Sequence, residues 1–239
     1  MAEPSIQRKS RRTQAGSRRR APDRRDATRE RLLTAAIDVF GRYGFDATTT
    51  RALAEAAGVN LQAIPYHFGG KEGLYIAAAD HLAQIISSHV SGRREQIRAR
   101  IEQADGGLEV AEARQLLVQM MRTMLGLFVS RQSEPWARFI LREQMEPTEA
   151  FERIYGRVMK PTLEVIGRLV AIILGEEVGS EHVRLRTVTL LGSLVVFRMA
   201  NAAVLAQLGW ESIGPRELDR IHAVVDELVS ALGQPGGRA

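Results

Sequence analysis

Apolar residues recur at the three- and four-residue spacing of helices along nearly the whole chain, and the pattern predicts an all-α fold of about nine helices. The first is expected over residues 27–43, with Asp26 as its cap and a stripe of Leu32, Leu33, Ala36, Ile37, Val39 and Phe40. Gly44 should stop it, and Phe45 should pack beneath the pair that follows. A long helix over 71–102 carries Leu74, Tyr75, Ala78, Leu82, Ile85, Ile86 and Val90 on one side, and the break at 105–107 ends it. Further helices are expected over 110–129, from Pro135 to just before Pro147, and over 149–174 with Pro161 as a kink. The last two, about 182–208 and 215–232, are apolar on more than one side. Leu190, Leu194, Phe197, Val204, Val224, Val225 and Leu228 exceed what one core face needs, which points to a homodimer interface; a monomer with a thicker core is the alternative.

Between the first and fourth helices lie two short helical patterns on either side of Gly58. Leu53, Ala54 and Ala57 share one face of the first, with Arg51 and Glu55 on the other. Thr49 is the expected N-cap, Gly58 the left-handed C-cap, and Val59 packs under the turn. Asn60 is expected to cap a second short helix over 61–67. Two helices joined by a tight glycine turn make either an ordinary helical hairpin or a helix-turn-helix, whose second helix enters the major groove of double-stranded DNA. On the second reading, Asn60, Leu61, Gln62 and Ala63 face base edges, with Gln62 able to pair with adenine and Leu61 or Ala63 able to touch a thymine methyl. Thr49 and Arg51 then meet phosphate, while Ile64 and Phe68 belong to the core.

The wording TTTRALAEAAGV followed by YHFGGKEGLY resembles the DNA-binding domain of the TetR family of bacterial transcriptional regulators, over about residues 26–86. The variant IPYHFGGKEGLY, and more loosely the later LREQMEPTEAFERIY, resemble the family's CecR-like branch. Most members carry a tyrosine where this chain has Pro65. The resemblance implies Tyr66, His67 and Lys71 as phosphate contacts, although Lys71 taken alone reads equally well as a surface lysine. It also implies a domain over 87–232 in which two helices from each subunit form a four-helix dimer bundle and helices 4 to 8 enclose an effector pocket. Met120, Met124, Phe128, Trp136, Phe139, Met145, Phe151, Tyr155 and Phe197 are the candidate walls for an apolar small molecule, or else plain core.

Composition sharpens this picture. Apolar residues at 45% suffice for a core across 239 residues, and the absence of cysteine excludes disulfides and thiolate metal sites. The net charge of +5 is concentrated in residues 1–25, where Arg8, Lys9, Arg11, Arg12, Arg18, Arg19, Arg20, Arg24 and Arg25 stand against two acidic residues, Glu3 and Asp23. That segment is too polar to fold alone, and is expected to be a disordered basic arm for DNA or a solvated tail. Residues 233–239 are expected to be a flexible tail. No apolar run reaches membrane length and no signal-peptide core follows the N-terminal charges, so a soluble cytoplasmic protein is expected.

No catalytic constellation emerges, and no cofactor or metal site is expected. The five histidines are scattered, Asp219 and His222 lack a third ligand, and Glu143, Glu146, Glu149 and Glu152 look like surface around a helix junction. The reading is a homodimeric, ligand-responsive regulator, a repressor by preference, acting on a palindromic operator; activation by the same domain stays open. The rival is a helical ligand-binding or adaptor protein that holds nucleic acid non-specifically through its arm.

Overall fold

In the computed structural model residues 24–234 are described; the expected basic arm, apart from its last two residues, and the tail beyond 234 lie outside the described residues. Among them are eleven α-helices and no strand: α1 (Arg24–Ala47), α2 (Thr50–Ala57), α3 (Ala63–Phe68), α4 (Lys71–Gln103), α5 (Val110–Val129), α6 (Glu134–Met145), α7 (Glu149–Ile154), α8 (Lys160–Leu174), α9 (Glu181–Met199), α10 (Asn201–Leu208) and α11 (Pro215–Ser230).

The excess over nine comes from two predicted helices that each divide. A π turn, Tyr155–Met159, separates α7 from α8. Pro161 has no N–H and its ring would crowd the carbonyl of Arg157, so a widened turn just before it accommodates both without ending the helical path. Helices α9 and α10 meet at an 84° bend around Ala200. The Asn201 amide donates to the Phe197 carbonyl at 3.2 Å, taking an acceptor that a continuous helix would give to backbone. No single helix among the described residues is long and apolar enough to cross a membrane. Helix α1 begins before the expected start and places Asp26 in its first turn, not at the cap; Gly44, at φ 81°, ψ 175°, breaks it as expected.

Helices α1 and α3 pack against α4, α2 packs on α1 and α3, and α1 also packs along α6. The second half of α4 enters a larger group in which α5 packs on α8, α9 and α11. Phe40 and Phe45 meet Tyr75 of α4 at ring-centroid distances of 4.8 and 5.2 Å, and Phe139 of α6 stands 5.0 Å from the same ring. The Arg142 guanidinium of α6 donates to the carbonyls of Gly41 at 3.2 Å and Arg42 at 3.1 Å, and Arg138 reaches Asp38 at 3.5 Å.

Glu143 overturns one expectation. Glu146, Glu149 and Glu152 are exposed, but Glu143 is buried, at 2% exposure. One of its oxygens accepts the Tyr75 hydroxyl, and the other accepts the Thr148 N–H at 3.1 Å and the Thr148 hydroxyl at 2.9 Å. Burial, together with the adjoining carboxylate, pushes the Tyr75 phenol well above its ordinary pKa, so it stays a donor.

The expected interface residues also divide. Leu190, Leu194 and Val225 are buried in their own chain, Phe197 and Val204 are half-buried, and Val224 and Leu228 are exposed. Helix α9 spends Val183, Thr187, Leu190 and Leu194 on the core, and this register turns Leu185, Val188, Val196 and Met199 outward. On α9 the outward apolar side is one helix face away from the residues expected to form it, while on α11 the expected Val224 and Leu228 do face outward.

Two stability predictions follow from this packing. A Cβ at Gly73 would lie 1.9 Å from the Phe68 carbonyl oxygen, so Gly73→Ala must displace α3 from α4 and should cost about 1–3 kcal/mol in urea unfolding. Glu143→Ala strands the Tyr75 hydroxyl and the Thr148 N–H and should cost about 2 kcal/mol or more by the same measurement, whereas Tyr75→Phe, which leaves the carboxylate its Thr148 donors, should cost less.

Candidate nucleic-acid interface and ligand cavity

The α2–α3 corner is built from local signals. The Thr49 hydroxyl accepts the Ala52 N–H at 3.1 Å and caps α2, a contact of the kind worth about 1 kcal/mol. Gly58 closes α2 in the left-handed conformation, φ 61°, and its carbonyl accepts Arg31 of α1 at 3.3 Å. Asn60 does not cap a helix starting at Leu61. Its side chain accepts the Gln62 N–H at 2.9 Å and shapes a turn, and α3 begins at Ala63. Pro65 is therefore the third residue of α3, within the first turn, where a missing N–H loses no helical bond.

Asn60, Leu61 and Gln62 are exposed at the leading edge of α3, and Ala63 is half-buried; Ile64 faces the core. Tyr66 is exposed, at 68%, with its ring 4.9 Å from the half-buried His67. Thr49 and Arg51 open α2 on the same exposed corner, and Arg51 pairs with Glu55 at 3.0 Å, an exposed contact worth little.

Lys71 differs from expectation. Its ammonium is turned inward, donating to the carbonyls of Phe45 at 2.8 Å and Thr48 at 2.9 Å, and it stands 4.2 Å from the Phe45 ring centroid. It braces the loop that presents Thr49. A lysine beside Gly-Gly at a helix start gives no local sign of carbonyl partners 23 and 26 residues upstream.

A cavity of about 510 Å³ lies among α4 to α9, a volume that suits a small molecule. Of the expected walls, Met124, Phe128, Trp136, Phe151 and Tyr155 line it. Met120, Phe139, Met145 and Phe197 do not: Met120 is fully buried in the core, Phe139 points to Tyr75, Met145 is 75% exposed, and Phe197 is half-buried elsewhere. On α5, Met120 and Met124 are one turn apart, and sequence alone does not say on which of them the wall falls. Helix α6 supplies Trp136, Ala137, Ile140, Leu141 and Gln144 to the cavity from the side opposite Phe139 and Glu143.

Four polar wall residues escaped the sequence reading: Ser133, Gln144, Thr162 and Arg198. The Ser133 hydroxyl is satisfied by the carbonyls of Ser130 and Phe128, and the Thr162 hydroxyl donates to Val158 at 2.7 Å. Arg198 donates from Nε and Nη2 to the carbonyls of Phe128 and Ser130 at the end of α5. Burial lowers the pKa of this guanidinium, and Glu134 partly offsets the effect. Outside the cavity, His222 of α11 is half-buried with its Nε2 unpaired, and burial depresses its pKa, with Arg122 adding to the effect. No cluster of potential metal ligands occurs among the described residues.

Two family descriptions match this chain in sequence: "Bacterial regulatory proteins, tetR family" over residues 32–78, and "HTH-type transcriptional dual regulator CecR, C-terminal domain" over residues 113–234. The HTH-type transcriptional dual regulator CecR of Shigella flexneri is 30% identical over 200 residues, covering 84% of this chain and 88% of that protein. A TetR-like transcriptional regulator from Rhodococcus sp. RHA1 superimposes with a TM-score of 0.59 at 17% identity, covering 88% of this chain and 97% of that one. AibR, solved in complex with isovaleryl coenzyme A and operator DNA, does so with a TM-score of 0.59 at 16% identity, covering 87% and 99%. The chain belongs to the TetR family of DNA-binding transcriptional regulators, in its CecR-like branch.

Proposed function

We propose that the protein is a ligand-responsive repressor that acts as a homodimer on a palindromic operator. The observation that carries the reading is the position of α6: one side walls the cavity, and the other is bonded to α1 and α4 through Arg142, Phe139 and Glu143. A ligand that favours one placement of α6 thereby favours one placement of the helix-turn-helix, and only such a differential preference can alter DNA affinity.

Residues 26–86 form the DNA-binding unit and 87–232 the effector-binding and dimerisation unit. Asn60, Leu61, Gln62 and Ala63 read base edges; Thr49, Arg51, Tyr66 and His67 contact phosphate. Lys71 acts at one remove, by holding the loop before Thr49. The outward apolar residues of α9 and α11 that lie off the cavity, Leu185, Val196, Val224 and Leu228, are the surface for the second copy. Pairing through them sets two α3 helices one DNA turn apart, about 34–36 Å, along one side of the duplex.

The test is operator binding by base-substituted duplexes. Gln62→Ala should lose about 1–3 kcal/mol at particular base pairs and nothing at others. Uniform weakening would favour the rival, an adaptor holding nucleic acid without sequence readout. Arg51→Ala should weaken all operators alike and reduce the salt slope by about 0.9. Deleting residues 1–24 should lower affinity and flatten the same slope by about 0.9 for each arginine that neutralises a phosphate; an unchanged slope means the arm takes no part.

A further inference from the structure

The cavity carries a charge that its apolar walls do not explain. Its α9 wall runs from Val188 to Met199, roughly 16 Å at 1.5 Å per residue, and Arg198 lies at one end of that span. Arg198 is the sole charged residue among those lining the cavity. A guanidinium has five N–H donors, and its two bonds to protein come from Nε and Nη2. Nη1 donates to no described group. Glu134 is the one carboxylate that acts on Arg198, and it does so from a distance, being itself paired with Arg138 at 3.1 Å. The neighbouring hydroxyls of Ser133 and Thr162 already donate to backbone, and the other polar groups of the wall, on Trp136, Gln144 and Tyr155, are uncharged, which leaves Arg198 as the cavity's one charged donor.

We propose that the ligand is an apolar carboxylic acid whose carboxylate pairs with Arg198 while its hydrocarbon body lies along the α9 wall toward Val188. The inference rests on the ligand-responsive reading and narrows it to a chemical class. A neutral apolar molecule fills the same walls but leaves a partly desolvated cation without a counter-ion. A carboxylate accepts from the unused guanidinium hydrogens in a charge-assisted bond and offsets the burial that depresses the Arg198 pKa. A cationic amphiphile meets like charge at the same place.

Trp136 lines the cavity and reports on its contents. In a full-length Trp210→Phe background its emission can be titrated with decanoate, 1-decanol and decyltrimethylammonium, each below its aggregation concentration. Decanoate should bind at least tenfold tighter than decanol, and the cation most weakly. In Arg198→Gln the decanoate affinity should fall to that of decanol, with decanol unchanged. Because Arg198 also holds the end of α5, a second variant leaves it in place: Val195→Glu sets a carboxylate one turn earlier on the same cavity wall, neutralises the guanidinium and should abolish the preference. Equal binding of decanoate and decanol by the parent protein, or a preference that survives both substitutions, overturns the inference and leaves a ligand-responsive cavity standing. Failure of all three probes to alter Trp136 emission likewise overturns the inference, whereas the ligand-responsive reading falls only if operator binding responds to no ligand of any class.

Discussion

Helix α6 is one rod with two working sides, and the buried bond between Glu143 and Tyr75 fixes the side away from the cavity to α4. A carboxyl group out of water is costly unless its oxygens are satisfied, and here three donors converge on it from α4 and from Thr148. The same few residues therefore set the height of α4, the direction in which α6 leaves toward α7, and the position of the aromatic group formed by Phe40, Phe45, Tyr75 and Phe139. Arg142 and Arg138 add bonds from α6 to α1, so the helix-turn-helix rests on this joint and not on α4 alone.

What sequence reveals here is what neighbours in sequence decide. The Thr49 cap and the Gly58 turn use partners within five residues, and both were legible. Both ends of α5, Val110 and Val129, were legible for the same reason: a run of apolar residues at helical spacing, with breaks on each side. The resemblance to a known family added the α3 edge and the expectation of a cavity, which spacing alone left open.

The misses share the opposite cause. Glu143 sits in a carboxylate-rich stretch that looks solvated until Tyr75, 68 residues earlier, comes to meet it. Lys71 carries the charge expected of a phosphate contact, but its carbonyl acceptors come from the far side of α2. On α9, both faces are apolar, and which one turns inward is set by α5 and α8, so Leu190 and Leu194 could not be told from Leu185 and Val188 by pattern. Arg198 reads as an ordinary arginine near a helix end; its place beside the cavity depends on α5 and α6 closing over it.

Between α3 and α4 there is no room for a single carbon atom: the backbone of Gly73 runs directly under the carbonyl of Phe68. Contact that close leaves no slack. A tilt of the first turn of α4 therefore presses on the end of α3 at once, which couples the two helices like the arms of a crank across the short loop between them.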